Sequence, residues 1–216
     1  MKINFDIDTY KTRFLGGARS YLFYALIQFP SGINNIEKQN YRSLLTPFGY
    51  GSANDFVPYL VKSTSIPESS FEDISIPYPG HTFKMAGNRS YGNWSVSFNV
   101  DEKTEILRMF NDWHNLIYDA SEQKSSEPEV YMKDQFLYLI NGVGEAIRSY
   151  QLVNAWPLSI SQTDLNYSNI DITSVDITFS YQYYITLKEK ENAETNSLLK
   201  ALFNKITGSA LKIPRF

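Results

Sequence analysis

Residues 94–118 constrain this chain more than any other stretch. Trp94, Val96, Phe98 and Val100 alternate with Ser95, Ser97 and Asn99, the period of two that marks a strand with one buried face. Asp101 and Glu102 follow. Then Ile106, Phe110, Trp113 and Ile117 recur at helical spacing, with Leu107 and His114 beside them. The pattern predicts a strand that turns directly into an amphipathic helix. Asp101 is expected as its N-cap, accepting from the free N–H groups of the first turn. Glu102 and Glu105 suit the positive end of the helix dipole. Two apolar faces joined by a short turn must share one core, and strands elsewhere must complete it. The expected core is Trp94, Val96, Phe98, Phe110 and Trp113, packed with Phe179 and Tyr181.

The covering strands are legible along the chain. Residues 20–29 are aromatic and apolar and stop at Pro30. Residues 59–65, 72–77 and 81–86 read as short strands, the last two separated by Tyr78-Pro79-Gly80, a turn signal. Residues 134–140 and 145–153 read as a hairpin around Asn141-Gly142-Val143-Gly144, its second strand ended by Pro157. Residues 158–167 form another extended piece. The final strand is the longest: Val175, Ile177, Phe179, Tyr181, Tyr183, Ile185 and Leu187 alternate with Asp176, Thr178, Ser180, Gln182, Tyr184 and Thr186. At 3.3 Å per residue it spans roughly 40 Å, long enough to reach beyond its own subunit. The aromatic share of 15%, with 16 Tyr and 14 Phe, fits such a β-rich chain.

The segments between are less regular. Tyr10, Phe14 and Leu15 suit a short helix closed by Gly16-Gly17. Residues 31–58 form a long loop, read either as a contact loop or as a solvated insertion. Residues 121–129 are a polar linker. After a charged hinge at 188–195, Leu199, Leu202, Phe203 and Ile206 share one face of a short helix, with Gly208 as its C-cap. That stripe packs either on its own domain or on a neighbouring subunit. The expected organisation is a β domain over 1–187, with the 31–58 insertion, and a hinge plus helical extension over 188–216.

Composition excludes several functions. The absence of cysteine removes disulfides, zinc–thiolate sites and thiol catalysis. No apolar run has signal-peptide or membrane-span character, so no membrane role is expected. A net charge of −3, from 20 basic and 23 acidic residues, argues against a protein that grips nucleic acid. His81 and His114 are far apart, and His114 suits a structural place on the helix. Gly142-Val143-Gly144 lacks the following helix of a phosphate loop. Asp101 and Glu102 are explained by capping, and Glu127 and Glu129 by a solvated linker. No catalytic constellation is visible, so neither an enzyme nor a cofactor or metal site is expected.

An ordered set of segments is similar to the tail tube proteins of contractile-tailed bacteriophages. It runs through Gly17-Ala18-Arg19-Ser20-Tyr21-Leu22-Phe23, Ser65-Ile66-Pro67, Ile76-Pro77-Tyr78-Pro79-Gly80 and Phe83-Lys84-Met85-Ala86-Gly87-Asn88-Arg89-Ser90-Tyr91. It continues through Trp94 to Asp101-Glu102, then Arg108, Phe110 and Trp113. The second half adds Tyr131, Asp134, Arg148-Ser149-Tyr150, Trp156-Pro157, Ile160, Leu165-Asn166-Tyr167 and the strand from Val175 to Tyr184. No single piece is diagnostic, whereas their order and spacing are specific.

The resemblance implies a mainly β (α+β) fold: an antiparallel β-sandwich or small barrel with one flanking helix. Its subunits would form hexameric rings stacked into the tube inside the sheath of a virion tail. Partners would be further copies, the tail sheath, the tape-measure protein and the baseplate hub, with synthesis in the host bacterial cytoplasm. DNA would pass without specific binding. Alternatives are a baseplate tube initiator joining the hub to the tube, and the tube protein of a type VI-like injection machine. Small polar groups on the last strand, Asp176, Thr178 and Ser180, are expected to line the channel. The alternative places them against a neighbouring subunit or the sheath.

Overall fold

The computed structural model describes residues 17–31, 33, 53–142, 144–161, 163, 165–168 and 170–187. The helix expected around Tyr10, most of the 31–58 loop and the extension carrying Leu199, Leu202, Phe203 and Ile206 lie outside the described residues. The strands are β1 (Phe23–Leu26), β2 (Val61–Thr64), β3 (Ser69–Tyr78), β4 (His81–Tyr91), β5 (Trp94–Asn99), β6 (Tyr118–Asp119), β7 (Lys124–Ser125), β8 (Lys133–Ile140), β9 (Ala146–Ile160), β10 (Ser174–Ser180) and β11 (Tyr183–Thr186). The helices include α1 (Ala53–Leu60), α2 (Glu105–Ile117) and the single turn α3 (Pro128–Tyr131). The protein is therefore mainly β. Its main sheet runs β1-β8-β9-β10-β5-β2, with β11 pairing β9. The β2–β5, β5–β10, β9–β10, β9–β11 and β3–β4 pairs are all antiparallel.

The chain divides into two compact units. The larger holds residues 25–137 and 150–186 and contains the aromatic core. Its β5 alternates buried Trp94, Val96 and Phe98 with wetter Ser95, Ser97 and Asn99. Beside it, β10 buries Val175, Ile177 and Phe179. Helix α2 covers both strands through Ile106, Met109, Phe110 and Trp113, which are fully buried. Phe110 stands 5.3 Å from Phe98, 6.0 Å from Phe179 and 5.4 Å from Phe29 between ring centroids. Trp94 meets Phe179 at 5.5 Å and Trp113 meets it at 6.2 Å. The offset and edge-on arrangements suit the ring quadrupoles. Each buried indole keeps a partner: Trp94 Nε1 donates to the Ser65 carbonyl and Trp113 Nε1 to the Tyr131 carbonyl. Buried Gln135 both accepts from the Gln28 N–H and donates to the Gln28 carbonyl, replacing a rung of backbone ladder.

The smaller unit, among the described residues, comprises 17–24, 138–142, 144–149 and 187. Its turn is closed by Asn141, whose N–H donates to the Glu145 carbonyl and whose Oδ1 accepts from the Glu145 N–H.

Several boundaries differ from the sequence reading, each for a local reason. Asp101 is not the N-cap of α2. The helix begins four residues on, after Thr104, which sits in the left-handed region with no side-chain cap. A turn closed by Thr104 N–H to the Asp101 carbonyl intervenes, and Asp101 Oδ1 reaches over it to accept from the Ile106 N–H at 3.1 Å. Pro157 does not end β9, which runs to Ile160. The proline lies at a register shift between Thr178 and Phe179 of β10, where the ladder loses a rung anyway. The long final strand breaks at Tyr181-Gln182 into β10 and β11. Pairing resumes in unchanged register: Ser180 faces Trp156 and Tyr183 faces Val153, three residues on in each strand. Its length is thus used along β9 of its own chain. Residues 53–60, read as the end of a loop, are helix α1 despite Pro58.

His114 of α2 is half-buried, and burial holds its pKa below the usual 6.5, opposed by a hydrogen bond to the Pro157 backbone. In the unfolded chain it takes up a proton near pH 6.5, whereas the folded protein resists protonation until a lower pH. Stability is therefore full above about pH 6.5 and falls as pH drops through the window below it. Denaturant midpoints measured across that window should fall more for the native sequence than for His114→Gln. Parallel curves would show that His114 contributes nothing to the acid response.

Candidate assembly surface

The antiparallel ribbon β3–β4 pairs from Ser69 opposite Tyr91 to Tyr78 opposite His81 and spans roughly 35 Å. Gly80, at φ 87°, makes the tip turn behind Pro79. From Ser70 to Ser90 every residue but Gly87 is exposed, so the ribbon stands off the body of its unit. Directly opposed residues share a face. Ile74 faces Met85, Ile76 faces Phe83 and Tyr78 faces His81 on one side; Asp73 faces Ala86, Ser75 faces Lys84 and Pro77 faces Thr82 on the other. One face is thus apolar and the other polar, the latter carrying a Lys84–Asp73 ion pair at 2.7 Å. Two short strands and a turn were expected here. The structure instead joins residues 69–91 into one long arm, whose second strand runs five residues past the 81–86 expected.

The root of the arm is clamped. The Arg89 guanidinium lies 5.0 Å from the Tyr91 ring, 5.5 Å from Tyr184 and 5.7 Å from Phe71, within cation–π range of all three. It also donates to Ser69 Oγ at 3.0 Å. Tyr184 of β11 reaches Ser69 Oγ at 3.2 Å and packs edge-on against Tyr91 at 5.5 Å. Above the clamp, a Cβ at Gly87 would lie 3.0 Å from Ile74 Cγ1 and 3.1 Å from the Glu72 carbonyl oxygen. The close approach of the strands beside the bulge at Phe71–Asp73 therefore needs glycine.

A second apolar surface lies between β9 and β10. Leu165, Tyr167, Ile170 and Ile172 are exposed, Tyr167 and Ile170 essentially completely, at 109% and 99%. The loop rejoins the sheet where the Val100 N–H donates to the Thr173 carbonyl at 2.8 Å.

The third surface is polar. Asp176 opposes Ser97 and Thr178 opposes Ser95, on the face turned away from Val175, Ile177 and Phe179. Asp176 is exposed, while Thr178 and Ser180 are half-buried. The Asp176 N–H donates to Ser161 Oγ, and Lys62 Nζ reaches Ser174 Oγ at 3.5 Å at the margin. The structure thus brings Asp176 and Thr178 together on one face with serines. Sequence reading missed the arm and the 165–172 loop as surfaces. The alternation of Ile74, Ile76 and Tyr78 with Asp73, Ser75 and Pro77 was the available signal. Among the described residues, no group of three or more His, Asp or Glu is placed to hold a metal ion.

The comparisons with known proteins agree with a tube subunit. The tail tube protein gp19 of Enterobacteria phage T4 is 21% identical over 126 residues, covering 57% of this chain and 77% of its own. The tail tube protein of Serratia phage KSP90 is 21% identical over 132 residues, covering 61% and 74%. The fold resembles that of a chain in the extended sheath–tube complex of an extracellular contractile injection system, PVC. That match has a TM-score of 0.53 at 19% identity and covers 85% of this chain and 99% of the other. It also resembles a chain of the anti-feeding prophage tube-terminating cap, with a TM-score of 0.54 at 18% identity over 87% and 95%. Residues 18–187 match the model of the phage tail tube protein family, and with that match spanning both the arm and the aromatic core, the chain belongs to this family and is a structural protein of the tail tube.

Proposed function

We propose that this chain is the repeating subunit of the inner tube of a contractile tail, forming hexameric rings that stack inside the sheath and conduct the genome. The role is structural, without catalysis. The observation that carries the reading is the amphipathic arm, whose apolar face of Ile74, Ile76, Tyr78, Phe83 and Met85 is exposed in the single subunit. Monomeric proteins rarely leave such a continuous patch uncovered. Among the described residues β1 and β2 end the main sheet, and ring closure would cover sheet edges of the kind that otherwise template aggregation. The sheath, the tape-measure protein and the baseplate hub are the partners of this reading, and residues 188–216 lie beyond the family match. That extension also favours a second reading, a baseplate tube initiator, which copy number per particle separates from a repeating subunit.

The polar face of Asp176, Thr178 and Ser180 lines the channel in this reading. Small polar and acidic groups do not hold phosphate, whereas lysine and arginine bind it through counterion release. The pair Asp176→Lys and Thr178→Lys should still give six-fold rings and tubes in negative stain, because both side chains lie off the core. Genome ejection from tails carrying both should slow, and the slowing should ease at higher salt as phosphate contacts are screened. Unchanged ejection would move these residues off the channel. Failure of the native protein to form rings at high concentration, with baseplate present, would overturn the tube-subunit reading itself.

A further inference from the structure

We propose that Asp134 and Asn154 form a corner latch that aims Tyr184 into the root of the β3–β4 arm, so that a carboxylate on β8 sets how firmly the base of the arm is held.

Two paired strands change face at one rung. In β9 the buried residues are Tyr150 and Leu152 before Asn154, and Ala155 and Pro157 after it. Burial thus passes from even to odd positions, and Asn154 itself is exposed. Along β10, Val175, Ile177 and Phe179 are buried, followed by Tyr181. Beyond Gln182 the apolar residues still hold odd positions in the sequence, yet Tyr183 and Ile185 are exposed and Tyr184 is half-buried. Ser180 faces Trp156 and Tyr183 faces Val153, so Gln182 stands opposite Asn154 and the two strands turn together. That shared turn is why the register survives the break. A change of one position moves every later side chain to the other face. Without it Tyr184 would fall on the face of Asp176, Thr178 and Ser180 instead of meeting the arm.

The turn combines an unfavourable backbone with a side chain that holds it. Asn154 has a φ of 53°, in the left-handed region that asparagine enters more readily than most other residues with a Cβ. Such a conformation persists only where its surroundings enforce it. Asp134 of β8 accepts from the Asn154 N–H through Oδ1 at 3.0 Å and from Gln151 Nε2 through Oδ2 at 2.7 Å. Across the rung, the Gln182 N–H donates to the Val153 carbonyl at 3.1 Å. Two residues on, Tyr184 meets Ser69 Oγ at 3.2 Å and packs edge-on against Tyr91 at 5.5 Å and Tyr150 at 5.8 Å. Ser69 opens β3 and Tyr91 closes β4, so one ring grips both strands of the arm where they leave the body of the unit. Irregular rungs of this kind serve to re-aim a side chain.

Hydrogen exchange of the full chain, read by mass spectrometry in dilute solution, tests the latch. Asp134→Ala and Asn154→Val should each raise exchange at residues 69–71 and 89–91 about tenfold, the opening expected from losing a hydrogen bond to a charged group. A β-branched side chain opposes the left-handed backbone without touching the carboxylate. Exchange across Trp94–Asn99 should stay at the native level. Asn154→Gly, which accepts the same φ freely, should keep the root within about twofold of native. Tyr184→Ala should loosen the root directly, and adding Asp134→Ala to it should loosen the root no further, because both act through one ring. A native root in both Asp134→Ala and Asn154→Val would overturn the proposal. So would an equal rise across Trp94–Asn99, or additive effects in the double variant.

Discussion

Replacing Phe110 by alanine should lower the stability of the protein by about 3–5 kcal/mol. Its ring is fully buried and contacts Phe29, Phe98, Trp113 and Phe179. Those neighbours come from a helix, two sheet strands and the segment after β1, so no single movement fills the space. Trp113 is held by its bond to the Tyr131 carbonyl, and Phe98 and Phe179 by the β5–β10 ladder. The loss therefore includes a cavity term as well as the transfer of the ring. The denaturant midpoint should fall with little change in slope. A midpoint within error of the native value would mean that α2 does not close the core.

The double substitution Ile76→Glu and Phe83→Glu should abolish tube formation while leaving the folded subunit intact. The two residues face each other on the apolar side of the arm and are exposed, so each change should shift stability by no more than about 0.5 kcal/mol. In an assembled tube both carboxylates would be buried without partners, at a penalty of several kcal/mol per ion. Since about 1.4 kcal/mol is a factor of ten in affinity, sedimentable tubes should fall well below a tenth of the native yield. Normal tubes from this variant would remove the arm from the assembly contact.

The strand–helix heart of the fold was legible because its signals are local and agree. The alternation from Trp94 to Asn99 and the helical stripe of Ile106, Phe110 and Trp113 both point to one core. Details that depend on a partner strand were not legible. Pro157 reads as a stop in isolation, and only the register shift opposite it in β10 makes it tolerable. The break at Tyr181-Gln182 leaves the alternation of side chains intact, so periodicity passes over it. Asp101 was rightly read as a donor-satisfying carboxylate, but the intervening turn through Thr104 is set by how the helix must return over the sheet. The arm shows the limit most clearly. Its two-sided pattern is present in the residues, yet a buried face and an uncovered one have the same sequence. Only the exposure of Ile74, Ile76 and Phe83 separates them.

The arm and the 165–172 loop spring from opposite ends of the β5–β10 pair, and this has a mechanical consequence. A load applied between the arm and the loop would enter the covalent chain at Trp94 and leave through Ser174, on the neighbouring strand. It crosses between them through the ladder from Ser174–Asn99 to Phe179–Trp94. The hydrogen bonds of that ladder lie across the direction of thrust, so they are strained in shear and share the force. A zipper geometry, in which bonds fail one after another, would yield far sooner. The helix resting on both strands adds the aromatic core as a brace against buckling. The larger unit is thereby stiffest along the direction of β5 and β10.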